Sequence, residues 1–394
     1  MYRFSHRLPW PSTANAFSRL LDQKRQAGAP LLDLTISNPT QAFHDYPHLP
    51  IASAYRGLDD FSYHPDPFGQ EHARRAIADY YRARAIPVSP DQLLLTASTS
   101  EAYALLFKLL CDPGDEVLAP VPSYPLFEYL ATLDSVRIVP YRLRYDGSWF
   151  LDIAHLRHHV SPRTRAIILV NPNNPTGSFL KQHEARELLQ FSADHVLPVI
   201  SDEVFMDYSF GALGARVPTF IGTDSTLTFS LNGLSKAAGM PQMTLAWIAL
   251  SGPEPIRQAA RRRLELLSDT YLSVATPVQR ALPELLRIGA DFARDIAQRL
   301  TRNLAALNAA LANTPAHCLH LEGGWSAVVQ VPRTLAEETW ITRLLQEQSV
   351  IVQPGYFFDM DSEAYLVLSL LTPPANFDAG LERLRSFIDK LMDK

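Results

Sequence analysis

The chain has 394 residues, of which 47% are hydrophobic and 20% charged, with a formal net charge of -5. That length exceeds what one small core needs and suggests two domains, while the scattered basic residues give no footprint for nucleic acid or a membrane surface. Cys111 and Cys318 stand in unrelated contexts, so neither a disulfide framework nor a metal site is expected, and a reducing, cytoplasmic compartment fits.

In chain order the predicted elements begin with a helix over residues 12–27, a strand from Leu31 to Thr35 and a turn at Ser37-Asn38-Pro39. Met1 to Ser12 carries basic residues with no apolar core behind them, unlike a secretory signal. Gln92 to Thr96 reads as a strand, and Glu101 to Leu110 as a helix with Ala102, Leu105, Leu106 and Leu109 on one face. Glu116 to Ala119, Ala166 to Val170, Leu197 to Ile200 and Leu227 to Phe229 are further short strands. Nearly continuous apolar strands separated by helices predict a parallel sheet covered on both faces, hence a doubly wound α/β domain. Arg261-Arg262-Arg263 falls in a helical stretch and reads as a solvated face. Beyond about residue 285, long helices give way to short strands around Trp325 to Val331 and Leu366 to Leu370. The two ends together predict a smaller α+β domain, residues 1–44 and 286–394, beside a large domain over 45–285. No apolar run approaches the roughly 20 residues that span a bilayer.

Ligands of open parallel sheets bind beyond the carboxyl ends of the strands, so the residues that follow each strand matter most. After Ala97 come Ser98-Thr99-Ser100-Glu101, whose spacing suits a plain helix cap and equally a phosphate held at a helix N-terminus. After Val170 comes Asn171-Pro172-Asn173-Asn174-Pro175-Thr176-Gly177, a turn composition in an unusually specific order. Asp202 follows the strand ending at Ile200, where it is either a helix cap or a functional acid. Lys236 follows Ser235 on a predicted loop after Phe229; alone it would be a solvated lysine. Together, a phosphate cradle, an amide, an acid and a lysine at one sheet edge are the set that pyridoxal phosphate (PLP) requires. The lysine forms the imine, and the carboxylate keeps the pyridine nitrogen protonated so that the ring acts as an electron sink. Burial supplies the lowered lysine pKa that nucleophilicity needs.

Over essentially its whole length the chain resembles the class I and II aminotransferases of fold type I. The resemblance rests on Thr96 to Glu101, Asp112 to Leu118, Pro122-Ser123-Tyr124-Pro125, Asn171 to Gly177, Asp202-Glu203-Val204 and Leu234-Ser235-Lys236. It implies PLP as cofactor, Lys236 as the Schiff-base lysine and proton shuttle, Asp202 on the pyridine nitrogen and Asn174 on the phenolic oxygen. Tyr124 matches the aromatic that stacks on the ring, Ser98, Thr99, Ser100 and Ser235 match phosphate contacts, and Ser37, Asn38 and Asn174 match the substrate side. Tyr63, in Phe61-Ser62-Tyr63-His64-Pro65, resembles a tyrosine that reaches the phosphate of a neighbouring subunit, which implies a homodimer with shared sites.

Three positions depart from the family pattern. Phe205 stands where a tyrosine hydroxyl is usual, and Thr244 where a phosphate-binding arginine is expected. Val367 replaces the arginine that pairs with the substrate carboxylate, and an apolar side chain cannot form that bidentate pair. Either another arginine takes over, with Arg3 and Arg7 as candidates, or the substrate presents a different group. The expected activity is transfer of an amino group from an amino acid or amine to a 2-oxo acid. A PLP lyase cleaving a carbon–sulfur bond is the alternative on the same residues, and a non-enzymatic PLP-fold domain is disfavoured by the joint presence of Lys236, Asp202 and Asn174. No nucleic acid or membrane partner is expected.

Overall fold

The apolar runs become strands of an eight-stranded sheet in the computed structural model, which describes residues 2, 4–7, 16–56, 58–60, 62–362 and 364–392. Its strands are β1 (Leu93–Thr96), β2 (Glu116–Val121), β3 (Arg137–Tyr145), β4 (Trp149–Leu151), β5 (Thr164–Val170), β6 (Val199–Asp202), β7 (Thr228–Gly233) and β8 (Ala246–Ser251). Their spatial order is β1-β8-β7-β6-β5-β2-β3-β4. The pairs β3–β2, β2–β5, β5–β6 and β6–β7 are parallel, whereas β8 runs antiparallel to both β1 and β7, and β4 antiparallel to β3. The sheet is mostly parallel, as its unalternating strands require: every residue of β1, β6, β7 and β8 is buried. Two apolar clusters cover its faces. One includes Ile168, Ile200, Phe229 and Ile248, and the other Ile167, Leu169, Val199 and Phe220, so neighbouring residues of one strand serve opposite sides.

The chain ends build a second layer. A four-stranded antiparallel sheet orders β9 (His317–Cys318), β10 (Ser326–Gln330), β12 (Tyr365–Ser369) and β11 (Gln353–Pro354). Leu32–Asp33 pairs in parallel with Val350–Ile351, joining residues far apart in the chain. A helix from Thr276 to Leu311, 36 residues long, packs against both parts and runs unbroken through residue 285 despite Pro283. The N-terminal helix is described from Ala16 to Gln26, and residues 12–15 of its predicted span lie outside the described residues. The arginine run 261–263 lies in the helix Glu254–Tyr271 and stays largely solvated. No helix among the described residues is long and apolar enough to cross a membrane. Both cysteines are free, and no group of three or more possible metal ligands occurs among those residues.

Candidate active site

A cavity of about 410 Å³ opens at the carboxyl ends of β5, β6 and β7, where residues of the central sheet meet residues from both chain ends. It contains Lys236, Asp202, Asn174, Tyr124, Ser98, Thr99, Ser100, Ser235 and Ser37, which is most of the set expected from the sequence.

Lys236 does not sit on an open loop. β7 continues to Gly233, and the chain turns at once into a short helix, Leu234–Ala237, that carries the lysine. Gly233 is required by the close approach of β8: a Cβ there would lie 2.8 Å from the Ala246 Cβ. The Tyr208 hydroxyl donates to the Lys236 carbonyl at 2.6 Å, fixing the lysine backbone from below. The ammonium lies 5.9 Å from the Phe205 ring centroid and 5.7 Å from that of Trp325. Burial lowers its pKa, and the Asp202 charge opposes that only in part.

Asp202 ends β6, registered between Val170 and Leu231. One carboxylate oxygen accepts from the Tyr103 hydroxyl at 3.2 Å, and the other from the Val204 backbone N–H at 3.3 Å. Desolvation outweighs these bonds and the nearby lysine, so the carboxyl is raised to about 6. Next to it Glu203 points the other way, accepting from Thr219, Ser230 and the Phe220 N–H, and its burial pushes it up to about 7. Of these two buried carboxyls, only Asp202 faces the cavity.

Asn174 lies in the loop after β5, and its Oδ1 accepts from Ser326 at 3.1 Å. Its amide NH2 has no protein partner among the described residues and is free to donate. Gly177 makes this arrangement possible. It has a φ of +65°, and a Cβ there would lie 2.3 Å from the Gly323 carbonyl, so the two loops touch backbone to backbone.

Thr99–Leu110 forms a helix capped by Ser98, whose hydroxyl accepts from the Glu101 N–H at 3.1 Å. The Glu101 carboxylate turns back to the Ala97 N–H. The hydroxyls of Thr99, Ser100 and Ser235 have no protein partner among the described residues, and of the first helical turn the Thr99 and Ser100 N–H groups stay open while that of Glu101 is taken by Ser98. A positive helix end lined by free hydroxyls suits a phosphate.

Some expected residues lie elsewhere. Asn38 caps the short helix Pro39–Ala42, with its amide oxygen committed to Thr40, and does not line the cavity. Tyr63 is 72% exposed and borders a separate surface cleft with His64 and Ser273; Phe61 beside it lies outside the described residues. Thr244 is exposed, left-handed at the end of a one-turn helix, and is not in the cavity wall. Val367 is buried in an apolar cluster with Val328 and Phe358 and pairs with Gln353 across β11. Arg7 is exposed, and Arg3 lies outside the described residues. Among the described residues no arginine lines the cavity, whose only cation is Lys236.

The family model for class I and II aminotransferases matches residues 33–384. The chain belongs to that family. Its members depend on pyridoxal phosphate. Similar proteins include a glutamate-pyruvate aminotransferase of Escherichia coli, 29% identical over 66% of this chain and 64% of its own length. Human tyrosine aminotransferase is 26% identical over 96% of this chain and 86% of its own. Among solved structures, an alanine aminotransferase from Pyrococcus furiosus superposes with a TM-score of 0.88 at 25% identity, covering 98% of this chain and all of that one. The alignment thus spans just under two thirds of the bacterial aminotransferase.

The residues present fit the family's cofactor. Free hydroxyls sit at a helix end, an amide has an unused NH2, a buried carboxyl faces the same space, and a desolvated lysine stands opposite. Sequence reasoning missed Tyr103, Trp325, Ser326, Gln353, Phe358 and Ser369, all in the cavity wall. Trp325 follows the Gly323-Gly324 pair, and its indole N–H is buried without a partner. Tyr103 had one available signal: a tyrosine on a buried helix face needs a partner for its hydroxyl.

Proposed function

We propose that this chain is a pyridoxal-phosphate-dependent aminotransferase that moves an amino group between an amino acid, or an amine, and a 2-oxo acid. The observation that carries the reading is Lys236 and Asp202 lining one cavity at the sheet's carboxyl edge together with Asn174 and the helix end at Ser98, where burial pushes the lysine down and the carboxyl up. Bound there, the cofactor supplies the electron sink for removing the proton next to the amino group. Lys236 would hold the cofactor through Nζ and, as a free amine, would take and return that proton there, a role its lowered pKa suits. Asp202 presents its carboxylate to the ring nitrogen, and Asn174 donates its free NH2 to the phenolic oxygen. Tyr124 covers the ring face. The hydroxyls of Thr99, Ser100 and Ser235 and the helix end below Ser98 hold the phosphate, with no arginine among the described residues to help.

Substrate enters beside Ser37 and Asn174, in a space walled by Trp325, Phe358, Gln353 and Ser369. These side chains exclude water from the reacting atoms. Residues 45–285 supply the cofactor floor, while residues 1–44 and 286–394 supply the substrate wall, which supports a two-domain division with the site at the junction. The exposed Tyr63 supports a homodimer in which it reaches the partner's phosphate site, and a cytoplasmic location fits the two free cysteines. A half-reaction screen tests the reading. Purified holoenzyme is mixed with a panel of amino acids and amines, and the absorbance of the lysine-bound cofactor is followed. Its loss with at least one donor, and its return with a 2-oxo acid, is expected; release of ammonia and pyruvate in place of exchange would make the protein a lyase.

A further inference from the structure

The Asp202 carboxylate is not left to the cofactor alone. Tyr103 rises from the helix Thr99–Leu110, four residues into the element whose first turn forms the phosphate end, and reaches the opposite end of the site. Its hydroxyl is the only side-chain hydrogen-bond donor to Asp202 among the described residues, at 3.2 Å. The ring is only 2% exposed and is held edge-on to Phe127, with centroids 5.3 Å apart. Phe107 packs on it at 6.0 Å. With the ring held between Phe127 and Phe107, the hydroxyl is aimed at Asp202 by packing rather than by a choice among several rotamers.

We propose that Tyr103 is a positioning residue: its hydroxyl occupies one oxygen of Asp202 and sets how much carboxylate charge remains for the ring nitrogen of the cofactor. The proposal rests on the reading of Asp202 given above. The groups facing Asp202 are few. Tyr103 comes from the helix, Tyr124 from the loop after β2, Lys236 from the helix after β7, and the Val204 N–H from its own strand end. Glu203 is turned to the far side of the sheet. Of these groups, Tyr103 and Val204 are the ones that hydrogen-bond the carboxylate directly, and only Tyr103 does so through a side chain that substitution can remove.

A hydrogen bond to the ionised form favours that form. Tyr103→Phe keeps the ring and its packing and removes the donor, so the Asp202 carboxyl becomes more basic and draws the shared proton away from the cofactor ring. The first measurement needs no cofactor. Infrared titration of the apo protein, with the Asp202 band assigned by difference from Asp202→Asn, should show the midpoint rising in Y103F by about one unit, the size of one hydrogen bond to an ionised group. The second uses holoenzyme: Y103F should shift the pH midpoint of the bound cofactor's absorbance, and the shift should vanish in the D202N background. An unchanged apo midpoint in folded Y103F overturns the proposal even if the cofactor binds, while failure of any cofactor to bind wild type would overturn the underlying reading instead. If Y103F does not fold, 3-fluorotyrosine placed at position 103 makes a stronger donor and should move the apo midpoint down; no movement would also overturn it.

Discussion

Replacing Asp202 by asparagine keeps the side-chain shape and an oxygen for the Val204 N–H, and removes the charge. The consequence has opposite signs with and without cofactor. Burial raises the carboxyl from 3.8 to about 6, and about two units correspond to about 3 kcal/mol. Because the folded carboxyl binds its proton more tightly than the unfolded one, its contribution favours the fold below 3.8 and is lost as pH rises through about 6. The apo variant should therefore be more stable than wild type near pH 8, by up to about 3 kcal/mol, with the difference closing in acid. With cofactor the order reverses. Removing a buried charge from its partner costs about 3–5 kcal/mol, which is at least a hundredfold in affinity or rate. Denaturant unfolding of the apo protein at both pH values, and cofactor titration by tryptophan fluorescence, read the two effects separately. A variant that is less stable near pH 8 yet binds cofactor normally would show Asp202 to be only a cap for the turn at Val204, and would refute the reasoning.

Val367→Arg puts a guanidinium into the apolar cluster beside Phe358, so it should lower the melting temperature of the free protein, and a simple α-amino acid should restore part of that loss by pairing with the new cation; an undiminished melting temperature would contradict the burial argument. Glu203→Gln should gain stability relative to wild type as pH rises from 4.5 through about 7, by roughly 3 kcal/mol at the upper end, since wild type must ionise a buried carboxyl there; unfolding across that range checks the sign. Gly177→Ala should destabilise the fold by about 2–4 kcal/mol through its positive φ and the clash with Gly323, and should weaken cofactor binding as Ser326 is pushed from Asn174; thermal melting and cofactor titration report both.

The strands of the central sheet and the residues at their ends were legible because each is an apolar run followed by polar residues in a distinctive order. Lys236, Asp202 and Asn174 were found in that way, and the structure brings them together. Ser230 and Asn232 give the stretch before Lys236 the look of a polar loop, yet both are fully buried in β7. β3 and β4 are harder to see because Arg137, Arg142 and Arg144 interrupt β3, which carries Pro140 within it, and β4 at the sheet edge is only three residues long. β8 runs antiparallel, which no local pattern reveals. An asparagine before a proline is a helix start, and Asn38 serves as one before Pro39 instead of facing the substrate space. Tyr103 and Trp325 were hidden for a different reason: a tyrosine on a helix face and a tryptophan in the bend before β10 both look like core residues, and only tertiary packing turns them toward the cavity.

The most direct test of the account is the site of cofactor attachment. Holoenzyme reduced with borohydride and digested should yield one pyridoxyl-modified peptide, with the modification on Lys236. A label on any other lysine, or none on protein shown to hold the cofactor, would contradict it.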